Sequence, residues 1–183
     1  MSPSKMEMRK HIKNMFSQIT KETLLKKSEE LSAQLLKFVA SFKEGKVTGA
    51  YYPLEDEALW FINWDVNRAE LAFPRIESDS MRFIRSSLDE LKDWSENGIS
   101  FKAPPEGNPE VTPDVLLIPG RAFDDKGNRL GRGKGFFDKY LANFKGIKIG
   151  ICFDFQIFEN IPLEPHDQAM DYVVTEKRIL KME

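Results

Sequence analysis

Apolar residues recur at spacings of three and four along residues 21–43, at Leu24, Leu31, Leu35, Phe38 and Phe42, with Ser28 on the same stripe. That period turns one face of a helix toward a core. Thr20 can cap its start and Gly45 can follow its end. Residues 5–16 predict a shorter helix whose Lys5 and Arg9, four apart, share a face. It is either a solvated surface helix or an anion-binding arm. The runs "DVLLIPG" (114–120), "IKIGICF" (147–153) and "DYVVTE" (171–176) lose the helical period and read as strands covered on both faces. "VTGAYY" (47–52) and "AELAFP" (69–74) add two short strands. A further helix is predicted from a cap at Ser78 or Asp79 through Met81, Ile84, Leu88, Leu91 and Trp94. "FKAPPEGNPE" (101–110) reads as a loop, since Pro and Gly interrupt both kinds of ladder. Strands alternating with helices predict an α/β fold. The expected form is one layered α/β/α domain over residues 1–183, with a central, mostly parallel sheet flanked by helices.

Composition narrows the class. The chain has 183 residues, 41% apolar and 31% charged, with a net charge of −2. These values describe a folded domain with no global basic field for nucleic acid. No window is long and apolar enough for a membrane span, and the first residues lack a signal-peptide apolar run. The single cysteine, Cys152, lies in an apolar strand as a packing residue. It fits a reducing, cytoplasmic setting.

The stretch "RLGRGKGFFDKYL" (129–141) is the unusual part. Gly131, Gly133 and Gly135 alternate with Arg132 and Lys134 just before a helix, with Arg129 ahead of them. Glycines let backbone N–H groups approach a ligand, and a helix start adds free donors. With three basic residues this describes a phosphate site, the alternative being a mobile basic hairpin. The spacing matches neither G-x-x-x-x-G-K-[ST] nor G-x-G-x-x-G. Asp138, in the first turn of that helix, either offsets the helix dipole or offers oxygen to magnesium. Asp167 and Asp171 could supply a second acid. Glu55, Asp56 and Glu57 follow a strand and either line a pocket or are solvated. Two histidines and one cysteine do not support a dedicated zinc site.

These motifs together resemble the 5-formyltetrahydrofolate cyclo-ligase family. "LLIPGRAFDDKGNRLGRGKGFFDKYL" (116–141) and "FDFQIFENIPLEPHDQAMDYVVTE" (153–176) carry the likeness. Lys5, Arg9, "YYPLEDE" and "AELAFPR" extend it toward the start of the chain. The resemblance implies conversion of 5-formyltetrahydrofolate to 5,10-methenyltetrahydrofolate with ATP and Mg2+, through a phosphorylated N5-formyl group. It implies ATP contacts at Lys5, Arg9 and the loop Arg129, Leu130, Gly131, Arg132, Gly133, Lys134, Gly135, Phe136 and Phe137. Folate contacts are implied at Tyr52, Glu57 and Arg132 to Phe136, and metal ligands at Asp138 and Asp167. Arg129, Arg132 and Lys134 are the expected catalytic cations, in a monomer. Two departures stand out. Phe136 and Phe137 replace the family's usual tyrosine pair, and "ALWF" follows Glu57 in place of a branched residue, an acid and a threonine. Arg121 brings an extra charge where a small or apolar residue is usual. A nucleotide- or phosphate-binding protein without cyclo-ligase activity is the alternative; RNA binding through the basic loop is a third reading.

Overall fold

A computed structural model describes residues 3–42, 46–64, 70–78, 80–96 and 98–182. The helices are α1 (Lys5–Ser17), α2 (Lys21–Val39) and α3 (Phe136–Leu141). The strands are β1 (Val47–Gly49), β2 (Glu70–Glu77), β3 (Ser80–Arg85), β4 (Lys92–Glu96), β5 (Ile99–Ala103) and β6 (Val115–Pro119). They continue with β7 (Ala122–Asp124), β8 (Arg129–Leu130), β9 (Ile147–Ile151), β10 (Ile157–Phe158), β11 (Tyr172–Val174) and β12 (Ile179–Lys181). Seven strands form one sheet in the order β12-β11-β9-β6-β1-β2-β3. The run from β11 to β2 is parallel, and antiparallel β12 and β3 form the two edges.

The apolar runs explain the layering. On β6, Val115 and Leu117 point into the core that holds Met8, Ile12 and Phe16 of α1 and Leu31 and Leu35 of α2. Leu116 and Ile118 point to the opposite core, with Phe123, Leu141 and Phe144. A strand covered on both faces needs apolar residues at every position, hence the unbroken run. Among the described residues, the second face carries the six-residue α3 and the small β10-β7-β8 sheet. Phe123 lies flat against the main sheet there: a Cβ at Gly150 would stand 2.4 Å from its ring.

Both N-terminal helices match the sequence pattern. Ser4 and Glu7 form a reciprocal capping box at α1, and Thr20 caps α2. Helix α2 stops at Val39, earlier than the pattern suggested, and Gly45 lies outside the described residues. The helix expected from Ser78 or Asp79 to Trp94 does not form. Residues 80–85 pair antiparallel with β2, and 92–96 pair with β5. Asp79 lies outside the described residues. The Ser87-to-Glu90 pair looks like a helix start, and the Glu90 carboxylate does accept from the Ser87 N–H at 2.8 Å, but only a turn follows. Strand pairing along β2 sends Phe83 and Ile84 to opposite faces of the sheet, and both are buried. Residues 101–103 of the expected loop belong to β5.

Candidate functional site

The parallel strands β1 and β6 end at Gly49 and Pro119. Ligands of open α/β sheets bind beyond such carboxyl ends. Two cavities meet there. One, of about 330 Å³, is lined by Tyr51, Tyr52, Glu57, Phe101, Phe136 and Phe137 among others. The second, of about 550 Å³, is lined by Lys5, Arg9, Glu164, His166 and Asp167. Gly131, Gly133, Gly135 and Asp138 border both, so the glycine loop is the wall between them. A larger groove of about 1380 Å³ shares Met81 and Phe136 with the first but opens at the opposite strand ends, around Asp114 and Ile147.

The loop is shaped by its glycines and anchored by arginines. Gly133 and Gly135 have φ of 97° and 74°, the left-handed region that favours glycine. Arg129 is buried beneath the loop. Its guanidinium donates to the Pro119 carbonyl at 3.0 Å and to Asp138 Oδ1 at 2.5 Å. It also faces the Phe137 ring at 5.7 Å. Arg9 reaches from α1 and donates to the Gly131 carbonyl at 2.8 Å. Arg132 bridges to the Asp56 and Glu57 carboxylates, with its Nε 3.0 Å from Glu57 Oε1. Glu57 is held in turn by the Leu54 N–H at 2.9 Å. Arg121 takes the other oxygen of Asp56. Burial alone would raise the Asp56 carboxyl, but hydrogen bonds from Arg132 and Arg121 outweigh it and hold it below the usual carboxylate range. Lys134 is exposed, with no polar partner among the described residues.

At the second cavity, Lys5 Nζ lies 2.7 Å from Asp167 Oδ2 and 2.9 Å from Glu164 Oε2. Burial would lower the Lys5 ammonium, yet the two carboxylates raise it. Burial would raise Asp167, yet the bonds from Lys5 and the Glu164 N–H lower it. Glu164, His166 and Asp167 offer ligand atoms within 4.8 Å of one another.

This pair predicts a pH response. Asp167 is depressed below its ordinary 3.8, so its contribution exists above that value and fades as pH falls through the folded-state value. Lys5 is raised above 10.5, so its contribution exists below that value and fades only in strong alkali. The docking of α1 therefore holds across neutral pH and loosens below pH 3.8. The NMR methyl resonance of Met8, on the buried face of α1, should report this; in Asp167→Asn the acid transition should shrink.

A sequence model described as the 5-formyltetrahydrofolate cyclo-ligase family matches residues 1–176. The chain belongs to that family. A "Probable 5-formyltetrahydrofolate cyclo-ligase" of Schizosaccharomyces pombe is 34% identical over 85 residues, 39% of this chain and 42% of the relative. The chain thus spans less than half the length of that relative. The 5-formyltetrahydrofolate cyclo-ligase of Mycoplasma genitalium is 28% identical over 153 residues, 80% of this chain and 82% of the relative. The solved 5,10-methenyltetrahydrofolate synthetase of Aquifex aeolicus superposes with a TM-score of 0.83 at 28% identity, covering 98% of this chain and 93% of that one. The mostly parallel seven-stranded sheet with few helices matches the fold of that solved structure.

Within this cyclo-ligase frame the structure brings together most residues that the sequence singled out. Lys5, Arg9 and Asp167 border one cavity, Tyr52 and Glu57 the other, and Asp138 both; Arg129, Arg132, Lys134, Phe136 and Phe137, implied as ATP contacts, line the aromatic cavity and not the one around Lys5 and Arg9. Arg129 lies beneath the loop, with its two terminal nitrogens occupied. The buried Leu130 packs in the core, with only its backbone near the site. Sequence reading left Asp56 in an acidic run that either lines a pocket or is solvated, and gave Arg121 no role; they form one ion-paired group with Arg132. Arg121 is the visible signal, an arginine directly after P-G. Tyr51 was passed over in favour of Tyr52, although both line the cavity. No helix among the described residues is long and apolar enough to cross a membrane.

Proposed function

We propose that this chain catalyses ATP-dependent cyclisation of 5-formyltetrahydrofolate to 5,10-methenyltetrahydrofolate, with ADP and phosphate as the other products. The supporting observation is the glycine loop standing as a shared wall between a mostly apolar, aromatic cavity and a polar one that sets Lys5 and Arg9 beside Asp138, Glu164 and Asp167. A flat heterocycle suits the first and a triphosphate suits the second. The reacting oxygen of one can then meet the γ-phosphoryl group of the other at the loop.

The difficulty in the chemistry is the N5-formyl oxygen, a poor leaving group. Transfer of the γ-phosphoryl group forms an O–P bond to that oxygen as the bond to the β-phosphate oxygen breaks. N10 then attacks the activated carbon and loses its proton. The C–O bond breaks, phosphate leaves and the five-membered ring is closed. Lys134 and Arg132 project from the loop to balance charge on the transferring group. Lys5 and Arg9 hold the nucleotide phosphates, with backbone N–H groups of the loop as further donors. Arg129 positions the loop from below. Glu57 orients the folate by hydrogen bonding, and Tyr52 and Phe136 pack on its rings. No protein nucleophile is needed; Cys152 is buried, and burial pushes its thiol well up, out of reach of reactive chemistry.

Asp138 and Asp167 fit a hard cation. Each has one carboxylate oxygen engaged by a basic residue and another without a hydrogen bond among the described residues. Magnesium held there would neutralise phosphate charge.

The test is direct. Purified protein is mixed with 5-formyltetrahydrofolate, Mg2+ and ATP, and methenyl absorbance is followed with each component omitted in turn. Signal that needs both folate and ATP supports the reading. Nucleotide binding without folate-dependent turnover leaves only a nucleotide-binding protein. Glu57→Gln should divide the site further. We expect about a 10-fold weaker folate affinity, the loss of a charged hydrogen bond, with ATP affinity within about 2-fold of wild type. The reverse pattern in two separate titrations would reassign the cavities.

A further inference from the structure

Among the described residues, five buried polar side-chain atoms lack a hydrogen-bond partner: Tyr51 Oη, Trp64 Nε1, Arg82 Nε, Trp94 Nε1 and Arg129 Nε. Of these residues, Tyr51 and Arg129 line the aromatic cavity. The Arg129 guanidinium is otherwise satisfied through its two terminal nitrogens. The Tyr51 hydroxyl has nothing. An unpaired buried hydroxyl lowers stability and calls for an explanation.

Its position is firmly built. Tyr51 follows β1, at the carboxyl end of the parallel sheet, and is 4% exposed. Trp60 Nε1 donates to its carbonyl at 2.8 Å, and the Trp60 ring lies 6.5 Å from the Tyr51 ring. Burial, reinforced by the Glu57 charge and opposed by Arg132, keeps the phenol protonated well above its ordinary range. It is therefore a neutral group able to donate or accept. The neighbouring rings of Phe101, Phe136 and Phe137 line the same cavity without a hydroxyl. Among the aromatic residues of this cavity the hydroxyls are those of Tyr51 and Tyr52, and only that of Tyr51 is buried and unpaired.

We propose that Tyr51 recognises the substrate, its hydroxyl hydrogen-bonding the polar edge of the reduced bicyclic ring beside Glu57. The inference rests on the cyclo-ligase reading above and adds a specificity residue to it. A tyrosine whose hydroxyl serves only the fold would have it bonded to the protein; among the described residues this buried hydroxyl has no such bond. Tyr51 borders the aromatic cavity and not the one around Lys5 and Arg9, so the separate ATP titration distinguishes a folate contact from a phosphate contact.

Tyr51→Phe removes one oxygen and keeps the ring. Wild type and variant are compared in three measurements: thermal melting, separate titrations with 5-formyltetrahydrofolate and ATP, and turnover. We expect a folate Kd and KM raised about 10-fold, with kcat at saturating folate and the ATP Kd within about 2-fold of wild type. Melting should be unchanged or higher, because an unpaired buried hydroxyl has gone. A folate Kd equal to wild type overturns the inference. So does a parallel loss of ATP and folate affinity with a lower melting temperature, which marks a packing role. If wild type itself neither binds nor turns over the folate, the cyclo-ligase reading fails first and the Tyr51 assignment falls with it; that result is separable because it appears before any substitution.

Discussion

Lys134→Ala is expected to lower folate-dependent ATP turnover by about 10²–10³-fold while leaving the melting temperature unchanged. The magnitude is that of removing one preorganised group aimed at developing charge. The asymmetry between activity and stability follows from where Lys134 sits. It is exposed, lies between Gly133 and Gly135, and has no polar partner among the described residues. The other basic residues of the site are already held: Arg132 by Asp56 and Glu57, Lys5 by Asp167 and Glu164, Arg129 by Asp138. Phosphates must compete with protein carboxylates for those residues, whereas Lys134 is available at once. Steady-state kinetics with a melting curve on the same sample decides it. Wild-type turnover in the variant would remove Lys134 from the mechanism. A large fall in melting temperature would assign it to the fold.

The opposite signature is expected for Arg129→Ala, which should destabilise the chain by about 3–5 kcal/mol, the usual loss when one partner of a buried ion pair is deleted. For a domain of this size that corresponds to a fall of roughly 10 °C in melting temperature. Arg129 connects three things at once: the Pro119 carbonyl at the end of β6, the Asp138 carboxylate in α3 and the Phe137 ring. Its loss leaves Asp138 unpaired and the loop unsupported, so turnover should fall as well. Arg129→Lys should recover little, because a single ammonium cannot span both acceptors as the planar fork does. A double-mutant cycle with Asp138→Asn tests the pairing. Non-additive losses identify the pair, whereas additive ones show that Arg129 acts through Pro119 alone. Denaturant unfolding of the four proteins supplies the numbers.

The contrast between these two cations shows where sequence reading reached its limit. Arg129, Arg132 and Lys134 look alike in "RLGRGKG", three basic residues in one glycine-rich stretch. Arg129 lies in β8, where strand pairing with β7 turns its side chain under the loop. Lys134 sits between two glycines of positive φ, where no strand or helix directs it inward. Charge type is written in the chain; burial is decided by the element that carries it.

What the sequence determined by itself are the features governed by local rules. The 3.6-residue stripe of α2, the capping residues of α1 and α2, the apolar runs of β6, β9 and β11 and the glycines that permit the loop's turns all depend on residues within a few positions of one another. The tertiary structure alone decided the rest. Residues 80–96 carry apolar spacings compatible with a helix, yet 80–85 pair along β2, where Phe83 and Ile84 are buried, and 92–96 pair with β5. The partners of the site's charges lie 75 positions apart for Arg132 and Glu57 and 162 apart for Lys5 and Asp167. No local pattern encodes such pairings, because they exist only once the parallel sheet brings the ends of its strands, and the helix α1, to one place.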